Sequence, residues 1–310
     1  RSYSVTGVQT CALPIYHTSR VICGKGQRKG EKMIIANKGT YLPNLEDKRK
    51  FGLDLSGNQG NINFELMKNP IGFPKIDFVA CRTGISWAYK DAWFETYWQK
   101  LLQMKVTRLA YHVLYCGESI KSQVENMASR FPGGKFDGDA VVNDLELHHN
   151  LDRKKISEAC YEFTNRLQDW AKKPAIIYSR FGWVESYMDI TTSKYIDWYA
   201  KQLWWMANYY GKNWLGQPIL AEYPTSSMYI PDSLRYFDVI IHQNGEKGDG
   251  KKVGTVSNQV DTNRWTQSNE RYEALFGKPV IVVPEEPSIP FYTLEEKVDK
   301  LWAVHPEIHS

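Results

Sequence analysis

Cysteine is scarce in this chain. Five occur in 310 residues, too few and too odd a number for a disulfide-stapled scaffold. Cys81, Cys116 and Cys160 lie inside apolar segments and read as buried free thiols. No apolar run is long enough to span a bilayer, and nothing after Met33 has the apolar core of a secretory signal. These absences predict a protein made and kept reduced in a cytoplasm, with no membrane insertion. No internal repeat is present. The glycine-rich stretch Gly245–Gly250 lacks the strand, helix and Lys-Ser/Thr of a phosphate loop, and reads as a mobile hairpin loop. No cofactor is implied. His148 and His149 are adjacent, so on a strand they point to opposite faces and cannot easily share a metal ion.

A strong charge of one sign is missing too. The formal net charge is +4, and the excess sits at the start of the chain. Residues 1–32 read as foreign to the fold. RSYSVTGVQTCALPI resembles a translated sequencing adaptor, and codons for Gly30-Glu31-Lys32 can spell a ribosome-binding site ahead of Met33. Met33 is the expected first residue, with 1–32 a leader to set aside. Without it, Lys plus Arg falls from 39 to 33 and Asp plus Glu from 35 to 34, so the net charge becomes −1. No basic excess then points to nucleic acid or a membrane surface.

What is abundant is aromatic: 11 Trp, 19 Tyr and 12 Phe. Most must pack a core, but those near strand ends can line a groove and cover the flat C–H faces of sugars. Short apolar runs alternate with helical patterns. Strands are predicted at 50–56, 76–82, 109–114, 140–147, 175–179, 203–209, 239–243 and 258–263. Helices are predicted at 93–105, 119–130 and 195–201. Ile156, Ala159, Cys160, Phe163, Leu167 and Trp170 form the clearest amphipathic stripe. This alternation predicts a parallel α/β sheet closed into an irregular TIM-like barrel, with fewer helices in its C-terminal part. The expected organisation is an arm at 33–50, a barrel at 51–278, a Pro-rich linker at 279–292 and a short helix at 293–310. Thr293-Leu294-Glu295-Glu296 matches a capping box for that helix, which either docks or pairs with another copy.

Two carboxylates stand out. Asp144 and Glu146 are two residues apart in an apolar strand, so both side chains face one way. Neighbouring carboxylates resist ionising together, and an acid beside a base is what glycosidic cleavage needs. A parallel barrel gathers its active site at the C-terminal strand ends. Asp54, Tyr111, Tyr178, Trp205, Asn208, Gln243, Asp261 and Asn263 are expected there as well.

These residues carry a resemblance. Gly52-Leu53-Asp54-Leu55-Ser56 with Gln59-Gly60, Tyr111-His112, Asp144-Leu145-Glu146, Ile177-Tyr178-Ser179, Trp204 to Tyr209 and Val260-Asp261-Thr262-Asn263 follow one another as signatures do in glycoside hydrolase family 25 lysozymes. The resemblance implies an N-acetylmuramidase that cuts the β-1,4 bond from N-acetylmuramic acid to N-acetylglucosamine in peptidoglycan. It implies Glu146 as general acid, and Asp144 as charge stabiliser or positioner of the N-acetyl group. Asp54 and Asp261 complete an acidic floor. Tyr111, Tyr178, Trp205, Asn208, Gln243 and Asn263 contact substrate, with Trp205 stacking on a sugar. Val113 and His242 depart from the family's usual aromatic residues. A wall-cleaving enzyme without its own signal suits a bacteriophage endolysin released from the host cytoplasm; a lost upstream signal would make it a secreted enzyme. The competing class is a non-catalytic glycan-binding barrel of a phage structural protein. A chitinase-like barrel ranks lower, because its acidic strand motif is longer.

Overall fold

The computed structural model describes residues 39–211 and 220–277. The expected leader at 1–32, the linker at 279–292 and the helix at 293–310 lie outside the described residues. In chain order the strands are β1 (Phe51–Leu55), β2 (Ile76–Ile85), β3 (Tyr89–Lys90), β4 (Thr107–Val113), β5 (Ala140–Asp144), β6 (Ala175–Arg180), β7 (Leu203–Ala207), β8 (Asp238–Asp249) and β9 (Gln259–Trp265). The helices are α1 (Phe64–Lys68), α2 (Phe94–Met104), α3 (Ile120–Ala128), α4 (Arg153–Ala171), α5 (Phe181–Tyr187), α6 (Ser193–Tyr199) and α7 (Asn269–Phe276).

Eight of the strands close a barrel in the order β1-β2-β4-β5-β6-β7-β8-β9, and β9 returns to β1. The irregular α/β barrel expected from the alternation is present. Its direction is not uniform. Pairs from β1 through β8 are parallel, but β9 is antiparallel to both β8 and β1. The reason is the connection. Parallel neighbours need a crossover, usually a helix, whereas β8 and β9 are joined by a short turn region, and such neighbours pair antiparallel. Gly245 to Asp249, expected as a loop, extend β8 and pair with β9. Gly245 is required there, because a Cβ would lie 1.6 Å from the Tyr41 hydroxyl.

Side-chain alternation sorts the core into two layers. Ala140 and Val142 of β5, Ile176 and Tyr178 of β6, and Trp205 and Ala207 of β7 fill the barrel. Val141, Ile177, Trp204 and Met206 face outward against the helices. α4 is the best example of that outer layer. Asp152 caps its N-terminus by accepting from the Lys155 N–H at 2.9 Å. Ile156, Ala159, Cys160, Phe163 and Leu167 are buried along one face. Each large apolar side chain so buried contributes about 1.5–3 kcal/mol. α7 closes the opposite end of the barrel from the strand C-termini. Its Tyr272 and Phe276 rings pack edge-on against Trp265, at 5.2 and 5.7 Å between centroids. Cys81, Cys116 and Cys160 are unpaired.

β5 ends at Asp144, three residues before the expected end. The chain stays extended enough for the Leu145 N–H to donate to Tyr178 O at 3.0 Å, with Leu145 buried in the outer layer. Glu146 therefore follows the strand but keeps its alternation.

Candidate active site

Four acids meet at the mouth formed by the C-terminal ends of the parallel strands. Asp54 is the penultimate residue of β1, and the antiparallel register places Asp261 directly opposite it. The expectation put Asp261 and Asn263 at the C-terminal end of their strand. Because β9 runs in reverse, its starting half reaches the mouth instead. Asp144 is the register partner of Tyr178, and Tyr178 of Trp205, so these three lie at one level of the barrel wall.

Asp54 is 9% exposed. One of its oxygens, Oδ2, accepts from Gln243 Nε2 at 2.8 Å and from Asn263 Nδ2 at 2.9 Å. Burial raises its pKa, and these donors pull it back. Asp261 lies beside it. Burial, the Asp54 charge and a hydrogen bond to Asp54 push Asp261 well above the usual carboxylate range.

Gln243 is the hub. Its Oε1 accepts from the Tyr178 hydroxyl at 2.7 Å and from the Tyr209 hydroxyl. Its inward direction depends on a register shift in β8, where Trp204 faces Val239 but Trp205 faces Ile241. His242 consequently points outward. It is fully buried, with Nδ1 3.1 Å from Thr225 Oγ1 and Nε2 2.8 Å from Asn208 O. Asn208 is thus tied through its backbone, and its N–H donates to Gln243 O at 3.1 Å. Together with Arg180 and Tyr209 it lines a cleft of about 290 Å³.

Trp205 differs from the stacking role expected of it. The ring is 2% exposed, lies edge-on to Tyr178 at 5.0 Å, and donates its N–H to Asn263 Oδ1 at 2.8 Å. Its visible work is to orient Asn263 on Asp54. Tyr111 is partly buried beside Arg82, Asp54 and Asp144. His148 stacks on Tyr187 at 4.1 Å and His149 lies on Tyr115 at 4.2 Å, so the two imidazoles part company.

The central pair is Asp144 and Glu146. Asp144 is 7% exposed, and its Oδ1 is buried without a hydrogen-bond partner. Burial, then the Glu146 and Asp54 charges, push its pKa well up, although Arg82 and Arg180 oppose this. Glu146 is also raised by burial, but Arg180 pulls it back. Arg180 Nη2 donates to Glu146 Oε2 at 2.9 Å. The Glu146 side chain is 23% exposed, so solvent reaches it. Both carboxyls are thus raised by burial, and the Arg180 guanidinium favours the ionised form of Glu146. Sequence reasoning also missed Arg180 and Tyr209. Arg180 was within reach, because it lies two residues after Tyr178 and shares its face.

Residues 53–227 match glycosyl hydrolases family 25. A bacterial lysozyme from Streptomyces coelicolor is similar in structure, with 20% identity and a TM-score of 0.57 over 74% of this chain and 98% of that one. A family 25 glycosyl hydrolase from Bacillus anthracis gives 15% identity and 0.55 over 76% and 98%. The catalytic domain of endolysin ply40, from bacteriophage P40 of Listeria monocytogenes, gives 18% and 0.52 over 75% and 99%. No curated protein matches the chain at a significant level. At these identities the solved structures establish the barrel, and the family follows from the sequence match. Because that match takes in more than half of the 310 residues, the chain belongs to glycosyl hydrolases family 25 and is a glycoside hydrolase.

Proposed function

We propose that this protein is an N-acetylmuramidase that cuts the β-1,4 bond between N-acetylmuramic acid and N-acetylglucosamine in peptidoglycan. The observation that carries the reading is the Asp144–Glu146 pair. One acid is buried with an unpartnered oxygen; the other is reachable from solvent and steadied by Arg180.

The chemistry follows from how two such groups titrate. They act as a coupled pair that holds one proton. A substrate acetamido N–H that donates to Asp144 Oδ1 favours the Asp144 carboxylate. The proton then belongs to Glu146, which faces the glycosidic oxygen and delivers it as that oxygen's bond to the anomeric carbon breaks. Arg180 stabilises the Glu146 carboxylate left behind. The Asp144 and Asp54 carboxylates stabilise the positive charge growing on the sugar. Water completes hydrolysis, either directly or after capture by the acetamido oxygen. Asp261 keeps its proton and orients Asp54. Gln243, Asn263 and Trp205 brace that floor, while Tyr111, Tyr178 and Asn208 flank the substrate.

Residues 51–278 are the wall-cleaving unit in this reading, with 279–292 a linker and 293–310 an appended tail that self-associates or docks. The phage endolysin among the similar structures supports a lysis role after release from a host cytoplasm. Turbidity clearing of purified peptidoglycan, with mass spectrometry of the muropeptides, tests the reaction. New reducing ends on N-acetylmuramic acid are expected, and Glu146→Gln should lose at least about a hundred-fold in rate. Equal clearing by this variant removes Glu146 from its role. No clearing by either protein favours a glycan binder, and reducing ends on N-acetylglucosamine refute the bond assigned.

A further inference from the structure

The turn between β2 and β3 is held more firmly than a surface hairpin requires. Ser86 has φ 54°, in the left-handed region that non-glycine residues avoid. Its N–H donates to Val113 O at 3.0 Å. Its carbonyl accepts from Asn126 Nδ2 at 2.9 Å and lies 2.7 Å from His112 Nε2. Asn126 Nδ2 also donates to Tyr89 O at 3.1 Å. Asn126 and His112 are buried, so two desolvated side chains are committed to one exposed turn. At Gly84 the approach is so close that a Cβ would lie 2.1 Å from Tyr89 O.

What this braced turn presents is aromatic. Trp87 is 56% exposed, the most exposed tryptophan among the described residues, and Tyr89 is 46% exposed. The Arg82 guanidinium lies 5.7 Å from the Tyr89 ring centre and pairs with Asp91 at 2.9 Å. The charge of Arg82 also acts on Asp144. The hairpin follows the C-terminal part of β2, so it stands on the rim of the same mouth as the acids.

We propose that Trp87 and Tyr89 form a sugar-binding platform, which holds an N-acetylhexosamine ring of the glycan strand beyond the bond that is cut. The proposal rests on the wall-glycan reading above and adds a distal subsite to it. Rigid aromatic rings offer area to a sugar's C–H face at little loss of side-chain freedom. Two rings beside the polar Ser86 and Lys90 make too small a patch for a stable protein interface. A sugar ring is an occupant of that size, and a glycan strand bound across the mouth supplies one at its rim.

The test uses peptide-free peptidoglycan glycan strands, sorted by length. Calorimetric titration in the Glu146→Gln background measures binding, and the active enzyme supplies KM. Trp87→Ala and Tyr89→Ala should each weaken affinity for long strands roughly ten-fold, the weight of one aromatic contact. The loss should shrink as the strands shorten. Trp87→Phe should restore most of it, and Leu102→Ala on the outer face of α2 serves as the surface control. Unchanged affinity for long strands in both alanine variants overturns the platform, as does a loss that is the same at every length. Should the wild type cleave no strand, the proposed reaction fails, while the binding titration still decides the platform.

Discussion

Arg180 Nη2 stands 2.9 Å from Glu146 Oε2, which joins the end of β6 to the residue just past β5. A guanidinium beside an acid favours its ionised form. It eases release of the proton and stabilises the carboxylate that remains. Arg180→Gln removes that help, so Glu146 holds its proton to higher pH. In the proposed mechanism Glu146 works protonated, so the alkaline limb of the kcat/KM profile should move upward. The maximal rate should fall roughly ten-fold or more, because donation is harder. Arg180→Lys keeps a cation and should keep the limb near its original place. A profile that does not move in Arg180→Gln would show that the ion pair only braces the fold.

Asp54 and Asp261 make a second pair with a different consequence. Both have raised pKa values from burial, and Asp261 is raised more strongly because the Asp54 charge adds to it. A carboxyl whose folded pKa is raised weakens the fold as pH climbs, since the unfolded chain releases its proton first. Below about pH 4 both states are protonated and the penalty vanishes. Asp261→Asn supplies a permanent donor to Asp54 without a second charge. It should stabilise the protein at neutral pH by on the order of 1 kcal/mol, or about 2–4 °C in Tm. The gain should disappear near pH 3. Thermal melts across that range check the sign, and clearing activity should fall in the same variant.

Alternation along strands made much of the site legible. Asp54, Asp144 and Tyr178 were expected near strand ends and lie there, the side-by-side placing of Asp144 and Glu146 followed from their two-residue spacing, and the amphipathic stripe of α4 was equally plain. Other features depend on relations that no local pattern carries. The reversal of β9 follows from its short connection to β8, so Asp261 reached the mouth from the opposite end of its strand. Trp205 looked like a sugar platform, yet its register beside Tyr178 sinks it into the barrel. The exposed Trp87 lies in a turn that has no strand period at all. The guanidinium that favours ionised Glu146 belongs to Arg180, 34 residues further along the chain. Fold and acids were written locally; the charges around the acids were not.

His112 and His242 should both be neutral through the working range of the enzyme. Burial lowers each pKa to about 4. The unfolded chain takes up these protons near pH 6.5, so their contribution is complete above that value and is lost as pH falls toward 4. NMR titration of the imidazoles should find neither one charged at pH 6. Replacing His242 by Gln should flatten the fall of stability between pH 6.5 and 4. An imidazole that titrates near 6.5 would mean that its outer-layer pocket is open to water.

Arg264 ties the segment before β1 to the barrel from a fully buried position. Its Nε donates to Glu222 Oε1 at 2.5 Å, Nη2 to Asn44 O at 2.8 Å, and Nη1 to the carbonyls of Asp47 and Arg49 at 3.2 and 3.3 Å. The guanidinium also covers the Phe51 ring at 4.7 Å. Arg264→Met leaves Glu222, whose side chain is 7% exposed, without its counter-charge, and it strips donors from three carbonyls. Breaking such a pair costs roughly 3–5 kcal/mol. Denaturant unfolding should record that loss as a lower midpoint with an unchanged slope. Adding Glu222→Leu removes the stranded charge and should recover part of the loss. Full recovery would mean that the carbonyl contacts contribute nothing. No recovery would place the whole penalty on them.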